Sequence, residues 1–392
     1  MHTATQQLYD TFVMRTYGRL PLAFTRGSGA WLYDEDGRAY LDMYPGWGVN
    51  LVGHCHPRVT AAIQQQAATL LHVPNNYHSP LQARLAEAIV SRAFPGKVFF
   101  GNSGAEANEG ALKLARKWGS DKGRWKFITM RNSFHGRTFA ALTATAQEKY
   151  QEGFGPMLPG FTYVPFNDLD AVAAALDNET CAVMVEPIQG EGGVNIGSHA
   201  YLRGLRELCD RAGCLLIFDE VQTGVARTGQ WFGYQLSGVQ PDVMTLAKAL
   251  GGGTPIGAMV AATPVADVLQ PGTHASTYGG NPLVCAAALA VFDVIEREDG
   301  LARARALETM MNQRAQALRK RFNVIRDVRG AGAMFGIELD RPGKPVVDAC
   351  LEQGVLVNCT HDVVLRFLTS VFLTEAEVDQ AFEAIAAGLA KL

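Results

Sequence analysis

Between about residues 85 and 262 the chain alternates short apolar runs with stretches of helical character. That alternation is the pattern of crossover connections between strands of a mostly parallel sheet. It predicts strands at residues 97–100 (KVFF), 126–130 (KFITM), 181–185 (CAVMV), 214–218 (CLLIF), 243–247 (VMTLA) and 257–262 (GAMVAA). Nearly every position in these runs is hydrophobic, so both faces of the sheet must be covered by helices. The fold class that follows is α/β. Downstream, NPLVCAAALAVFDVIERE and LARARALETMMNQRAQALRKRF carry helical periodicity, and Leu307, Met311, Leu318 and Phe322 fall close to one stripe of the second. A smaller strand-and-helix unit completes the chain. A boundary is expected near Asn281-Pro282, because the residue before a proline is pushed out of the helical region.

Composition narrows the class of function. A chain of 392 residues with 48% hydrophobic and 19% charged residues suits a globular enzyme with a sizeable core and a cleft. The formal net charge is −3 and the isoelectric point about 6.3, so no broad positive field exists to collect nucleic acid or an anionic membrane. The arginines of the second helix are interleaved with glutamate and an apolar stripe, as on a solvated helix face. Seven scattered cysteines (55, 181, 209, 214, 285, 350 and 359) do not make a secreted disulfide framework, which points to a reducing cytoplasm. The first twenty residues contain no apolar core of signal-peptide length, and no segment reaches the roughly 18 apolar residues of a membrane span.

Three loops carry candidate chemistry. In VFFGNSGAEANEGALKLARKWG a strand turns through Gly101, Ser103 and Gly104 into a helix, whose first-turn amides and dipole form an anion site. The same pattern also fits a helix start that merely caps itself. In CLLIFDEVQTG, Asp219 ends a buried strand, the position at which open parallel sheets meet ligands. It needs a cationic partner there, whether a heterocyclic nitrogen or an arginine, unless it caps a helix. In MTLAKALGGGTPIGA, Lys248 interrupts an apolar run just before three glycines. Such a lysine either snorkels to water or is desolvated so that its amine becomes nucleophilic. Taken together, a phosphate turn, an acid after a buried strand and a lysine before a glycine run point to pyridoxal 5'-phosphate.

These residues lie in longer strings: GSGAWLYDEDGRAYLDMYPGWGVNLVGHCHP, NSGAEANEGALKLAR, FHGRT, EPIQGEGG, IFDEVQTGVARTG, TLAKALGGGTPIGA, STYGGNP and LRF. In that order they resemble the class III, or omega, aminotransferases of the fold type I pyridoxal-phosphate group, and within it the acetylornithine branch. The resemblance implies a large cofactor-binding domain (53–280), a small C-terminal domain (281–392) and an N-terminal segment (1–52) packed with the latter. It makes Lys248 the Schiff-base lysine and proton shuttle, sets Asp219 against the pyridine nitrogen, Gln222 against the 3' oxygen, and stacks Phe134 on the ring. Ser103, Gly104 and Ala105 would hold the phosphate. Across a homodimer interface, Thr277 would reach the neighbour's phosphate and Ser276 its substrate. Arg366 would bind the α-carboxylate of glutamate, with Glu191 neutralising it when an ω-amine is bound, and Arg137 would take a second carboxylate. Without the resemblance, each arginine reads equally as a surface ion pair.

The activity so implied is transfer of the δ-amino group of N2-acetyl-L-ornithine to 2-oxoglutarate, both small molecules, as in arginine biosynthesis. Ornithine, succinylornithine, 4-aminobutyrate or a lysine-pathway amine are alternative donors; a glutamate-1-semialdehyde aminomutase or a silent binding module are alternatives of other kinds. The chain departs from the family pattern at Leu368, Thr369 and Ser370, where prolines are common, and at Ala226, where glycine is usual. Trp47 stands where ornithine aminotransferases tend to have tyrosine, which argues against free ornithine. His54, Cys55 and His56 are potential metal ligands, but adjacent residues do not converge easily on one tetrahedral ion, so a turn is expected and no metal.

Overall fold

The computed structural model describes residues 4–392. Its centre is a seven-stranded sheet made of β1 (Gly96–Gly101), β2 (Lys126–Met130), β3 (Phe161–Val164), β4 (Thr180–Val185), β5 (Leu215–Asp219), β6 (Val243–Leu246) and β7 (Gly257–Ala262). The spatial order is β1-β7-β6-β5-β4-β2-β3. Neighbouring strands from β6 across to β3 are parallel, whereas β7 runs antiparallel to both β6 and β1. All six strands expected from the sequence are present, and β3 at the edge is an addition. The apolar runs are explained by two-sided burial. Val183, Val185, Leu216 and Phe218 enter one core, while the alternate residues Ala182, Met184, Leu215 and Ile217 enter the other.

Helix α1 (Gly104–Gly119) follows β1 and packs against the sheet through Ala107, Ala111, Leu114 and Ala115. After the sheet come α2 (Pro282–Arg297), capped by Asn281, and α3 (Gly300–Arg321). Leu307, Met311 and Leu318 of α3 are buried, and Phe322 ends the stripe half-buried just past the helix. A second sheet is wholly antiparallel: β8 (Ile325–Ala331), β9 (Met334–Leu339), β10 (Asn358–Thr360) and β11 (Val364–Leu368), in the order β8-β9-β11-β10. Near the N-terminus, strands Phe24–Ser28, Trp31–Asp34 and Ala39–Asp42 form a third sheet, which Val355–Leu356 extends in parallel from the other end of the chain. Among the described residues no helix is long and apolar enough to cross a membrane.

Candidate active site

A cavity of about 430 Å³ opens at the carboxyl edge of the parallel strands. Chain direction explains its lining. Ser103 follows β1, Phe134 follows β2, Glu186 follows β4, Asp219 ends β5 and Lys248 follows β6, so five connections deliver side chains, four of them polar, to one edge. Because β7 runs the other way, its entry residues Thr254, Pro255 and Ile256 reach the same edge.

Ser103 is the N-cap of α1. Its hydroxyl accepts the Glu106 amide at 3.1 Å, its carbonyl accepts the Ala107 amide, and the Glu106 carboxylate folds back onto the Asn102 amide. The cap leaves room for an anion, since the amides of Gly104 and Ala105 have no intrahelical acceptor and border the cavity. Gly257 makes this turn possible: a Cβ there would lie 2.1 Å from the Ser103 carbonyl oxygen.

Asp219 is buried with a full set of donors. Its Oδ2 accepts from Asn108 at 2.8 Å and lies 2.7 Å from His135 Nδ1, and its Oδ1 accepts the Val221 amide at 3.0 Å. Asn108 is fixed in turn, donating to the His135 carbonyl at 2.6 Å and accepting from Thr245 Oγ1 at 2.7 Å. Neither Asn108 nor His135 was among the residues singled out from sequence. A signal for the first did exist, as a polar residue on the buried Ala111–Ala115 side of α1. Glu186, also not assigned, accepts the Phe134 amide at 3.0 Å and the Gly190 amide at 3.4 Å. Burial, reinforced by the negative charge of Asp219, raises its pKa well above the carboxylate range.

Lys248 opens a short turn in a left-handed conformation, φ +45°, that non-glycine residues seldom adopt. It lines the cavity, and burial lowers its pKa to about 8 against the opposing pull of Glu191. The side chain is half-buried and faces the cavity, the setting that the desolvated alternative requires. Glu191 lies 2.7 Å from Arg366 Nη1. Burial alone would raise the Glu191 carboxyl, but the charges of Arg366 and Lys248 outweigh it and hold the pKa down. Arg366 is itself buried, with Nε donating to Asn358 Oδ1 at 2.9 Å. Arg137 borders the cavity with its guanidinium 3.9 Å from the Tyr150 ring centroid and 5.4 Å from that of Phe134. Gln222 lines the wall with a buried Oε1 that has no partner among the described residues.

Not every expected residue enters this cavity. Ser276 and Thr277 line a separate hollow of about 300 Å³, joined to the first through Asn102, which donates to Ser276 Oγ at 3.2 Å and borders both. Trp47 is half exposed against Tyr17 and not part of the lining. Ala226 adopts φ +66°, the conformation for which the expected glycine is suited. His54 faces Asp42 at 3.0 Å and His56 faces Glu298 at 3.3 Å, with Cys55 between them in a left-handed turn. The described residues contain no group of three or more side chains that could hold a metal ion.

The donor set fits pyridoxal 5'-phosphate: free helix-start amides for a phosphate, an anchored carboxylate for a ring nitrogen, an orphaned amide oxygen at the wall and a desolvated amine. A family model described as aminotransferase class-III matches residues 12–389. The chain is 49% identical over 376 residues to an acetylornithine aminotransferase of Caldanaerobacter subterraneus subsp. tengcongensis, covering 95% of each. It is 47% identical over 391 residues to one of Methanocaldococcus jannaschii, covering 96% of each. Among solved structures, an ornithine aminotransferase of Toxoplasma gondii aligns with a TM-score of 0.94 at 34% identity, covering 99% of this chain and 94% of that one. The acetylornithine aminotransferase of Elizabethkingia anophelis aligns at 0.88 and 31%, covering 99% and 98%. The chain belongs to the class III aminotransferases and works with pyridoxal 5'-phosphate.

Proposed function

We propose that the protein transfers the δ-amino group of N2-acetyl-L-ornithine to 2-oxoglutarate, giving N-acetyl-L-glutamate 5-semialdehyde and L-glutamate. The observation that carries this reading is the Glu191–Arg366 pair at 2.7 Å beside the desolvated Lys248. A buried arginine already matched by a carboxylate tolerates a donor whose reacting end carries no carboxylate, and the same arginine, once released, takes the α-carboxylate of glutamate in two-pronged fashion. The names of the bacterial and archaeal relatives support the acetylated donor.

Bound pyridoxal phosphate contributes an aldehyde that accepts the amino group and a protonated ring that withdraws electrons from the carbon losing its proton. Asp219, immobilised by Asn108 and His135, holds the proton at the ring nitrogen. Lys248 Nζ would hold the cofactor's aldehyde carbon and would move the proton at the substrate carbon. Ser103, Gly104 and Ala105 would hold the phosphate, Gln222 would take the 3' oxygen, and Phe134 would pack on the ring. Arg137, exposed beside the cavity, takes the far carboxylate of either substrate. The protein acts as a homodimer in which Thr277 and Ser276 reach the neighbour's site. Supporting this are Leu70, Leu71, Tyr77 and Tyr278, all exposed, on two segments tied by the Asn75 bond to the Ser276 carbonyl. Seven free thiols support a cytoplasmic setting.

The test is a donor panel of acetylornithine, succinylornithine, ornithine and 4-aminobutyrate, each with 2-oxoglutarate, comparing kcat/KM. Acetylornithine is expected to lead ornithine by about tenfold or more: the two share the carboxylate that Arg137 takes and differ at the α-nitrogen, where free ornithine carries a charge that is costly to desolvate. Preference for free ornithine would refute the acetylated donor.

A further inference from the structure

Arg329, Gly336, Arg366 and Asn358 stand directly opposite one another across β8, β9, β11 and β10. Opposed residues of antiparallel strands point to the same face, so the two arginines share a face with a side-chain-free position between them. The segment from Gly190 to Asn195 lies over this row. A Cβ on Gly336 would approach the Val194 side chain to 3.2 Å, so the glycine gives the segment its seat.

Three contacts bind the segment to the small sheet. Arg366 pairs with the Glu191 carboxylate, and Thr360 Oγ1 donates to the Glu191 carbonyl at 2.6 Å. Arg329 donates from Nε to the carbonyls of Gly193 and Val194 at 3.1 and 3.0 Å, and from Nη2 to that of Gly193 at 2.7 Å. Its remaining nitrogen, Nη1, is held by Asp327 at 2.9 Å and Glu338 at 2.6 Å, so the guanidinium is fixed from behind. What it grips is strained: Val194 is fully buried with φ +56°, a conformation a β-branched residue keeps only where its surroundings enforce it.

We propose that Arg329 is a positioning residue for Glu191. It locks the Gly193–Val194 backbone to the sheet that carries Arg366, so that exchanging a substrate carboxylate for Glu191 requires only a side-chain rotation. This rests on the roles given above to Glu191 and Arg366. Without the lock, the segment must be reordered each time Glu191 returns to Arg366, and that entropy opposes coverage of the arginine. The ω-amine half-reaction, which needs Arg366 covered, suffers. The glutamate half-reaction, in which Glu191 stands aside, does not.

The test compares Arg329→Met and Arg329→Lys holoenzyme with wild type in two measurements. Hydrogen exchange of a peptide spanning residues 190–196 is expected to quicken about tenfold or more in Arg329→Met and less in Arg329→Lys, with α1 unchanged, as local opening becomes cheaper. Single-turnover rates are expected to fall about tenfold or more for the ω-amine half-reaction and less than about threefold for glutamate. Glu191→Gln serves as control and should show the same asymmetry, with no further loss in the double variant. Unaltered exchange overturns the proposal, as do equal losses in both half-reactions where Glu191→Gln remains asymmetric. If Glu191→Gln is itself symmetric, the functional reading of Glu191 fails and exchange alone decides the backbone lock. If Arg329→Met does not fold, Arg329→Lys carries both measurements.

Discussion

Lys248 illustrates how much of a residue's character its surroundings set. The amine would be protonated far above neutrality in water, and burial brings its pKa down to about 8. A base whose pKa is lower folded than unfolded binds a proton in the unfolded chain that it lacks in the folded one. Stability of the cofactor-free protein therefore rises as pH climbs from about 8 to 10.5 and carries the full penalty below that window. Lys248→Met, which removes the charge and keeps the length, is expected to stabilise the cofactor-free chain at pH 7 by at most about 3 kcal/mol. The gain should fade towards pH 10.5 in urea titrations; a gain independent of pH would mean that packing, not charge, is responsible. The same variant should lose all transamination. Lys248, Asp219 and Ser103 were legible in sequence because each follows an apolar strand within a recognisable turn. His135 and Glu186 were not, and Asn108 showed only as a polar residue on a buried helix face, since its meaning lies in Asp219 and Thr245, reached 111 and 137 residues along the chain.

At the scale of elements, the apolar runs were legible because burial on both faces leaves few polar positions in β2, β4, β5, β6 and β7. Edge strand β3 (FTYV) has only one fully buried residue and so no continuous run to betray it. The reversed direction of β7 was equally hidden, because a hydrophobic run records burial and not polarity of the chain. That reversal has a consequence for α1. It sets Gly257 at the start of β7 against the carbonyl of Ser103, where a methyl would sit 2.1 Å away from main chain that has no side-chain freedom to yield. Gly257→Ala must displace the first turn of α1, at a cost of about 1–3 kcal/mol or more. It should also weaken cofactor affinity about tenfold or more by tilting the amides of Gly104 and Ala105 away from the phosphate. Equilibrium titration with pyridoxal phosphate reads this out, and an unchanged dissociation constant would show that the turn is not the phosphate site.

Across the whole molecule, one buried cation joins segments that are far apart in sequence. Arg227 lies on the loop after β5, is fully enclosed, and donates Nη2 to the Gly48 carbonyl at 2.9 Å and Nη1 to the carbonyls of Ala333, at 3.1 Å, and Thr369. Those acceptors belong to the N-terminal segment next to cavity residue Val49, to the β8–β9 turn, and to the exit of β11 just after Arg366. Cofactor loop, N-terminal segment and small sheet thus share one rigid node, and the planar guanidinium suits the task because it presents several donors in fixed directions. Sequence reading treated GVARTG only as a family string with Ala226 in place of glycine; the load on its arginine is visible once the three carbonyls are seen together. Removing the donors leaves the enclosed carbonyls of Gly48 and Thr369 unsatisfied, each worth about 1–3 kcal/mol, while that of Ala333 keeps the Thr369 amide at 3.2 Å; relief from burying a charge offsets part of the loss. Burial holds the Arg227 pKa down at about 9, so part of the loss is returned, and Arg227→Met is expected to destabilise the protein by about 1–3 kcal/mol net. Arg227→Lys should lose less, because an ammonium can still reach one or two of the carbonyls. Urea titrations of the two variants against wild type decide the matter: equal losses in Met and Lys would mean that the forked geometry, and not the number of donors, is what the node requires, whereas a negligible loss in both would remove the node altogether.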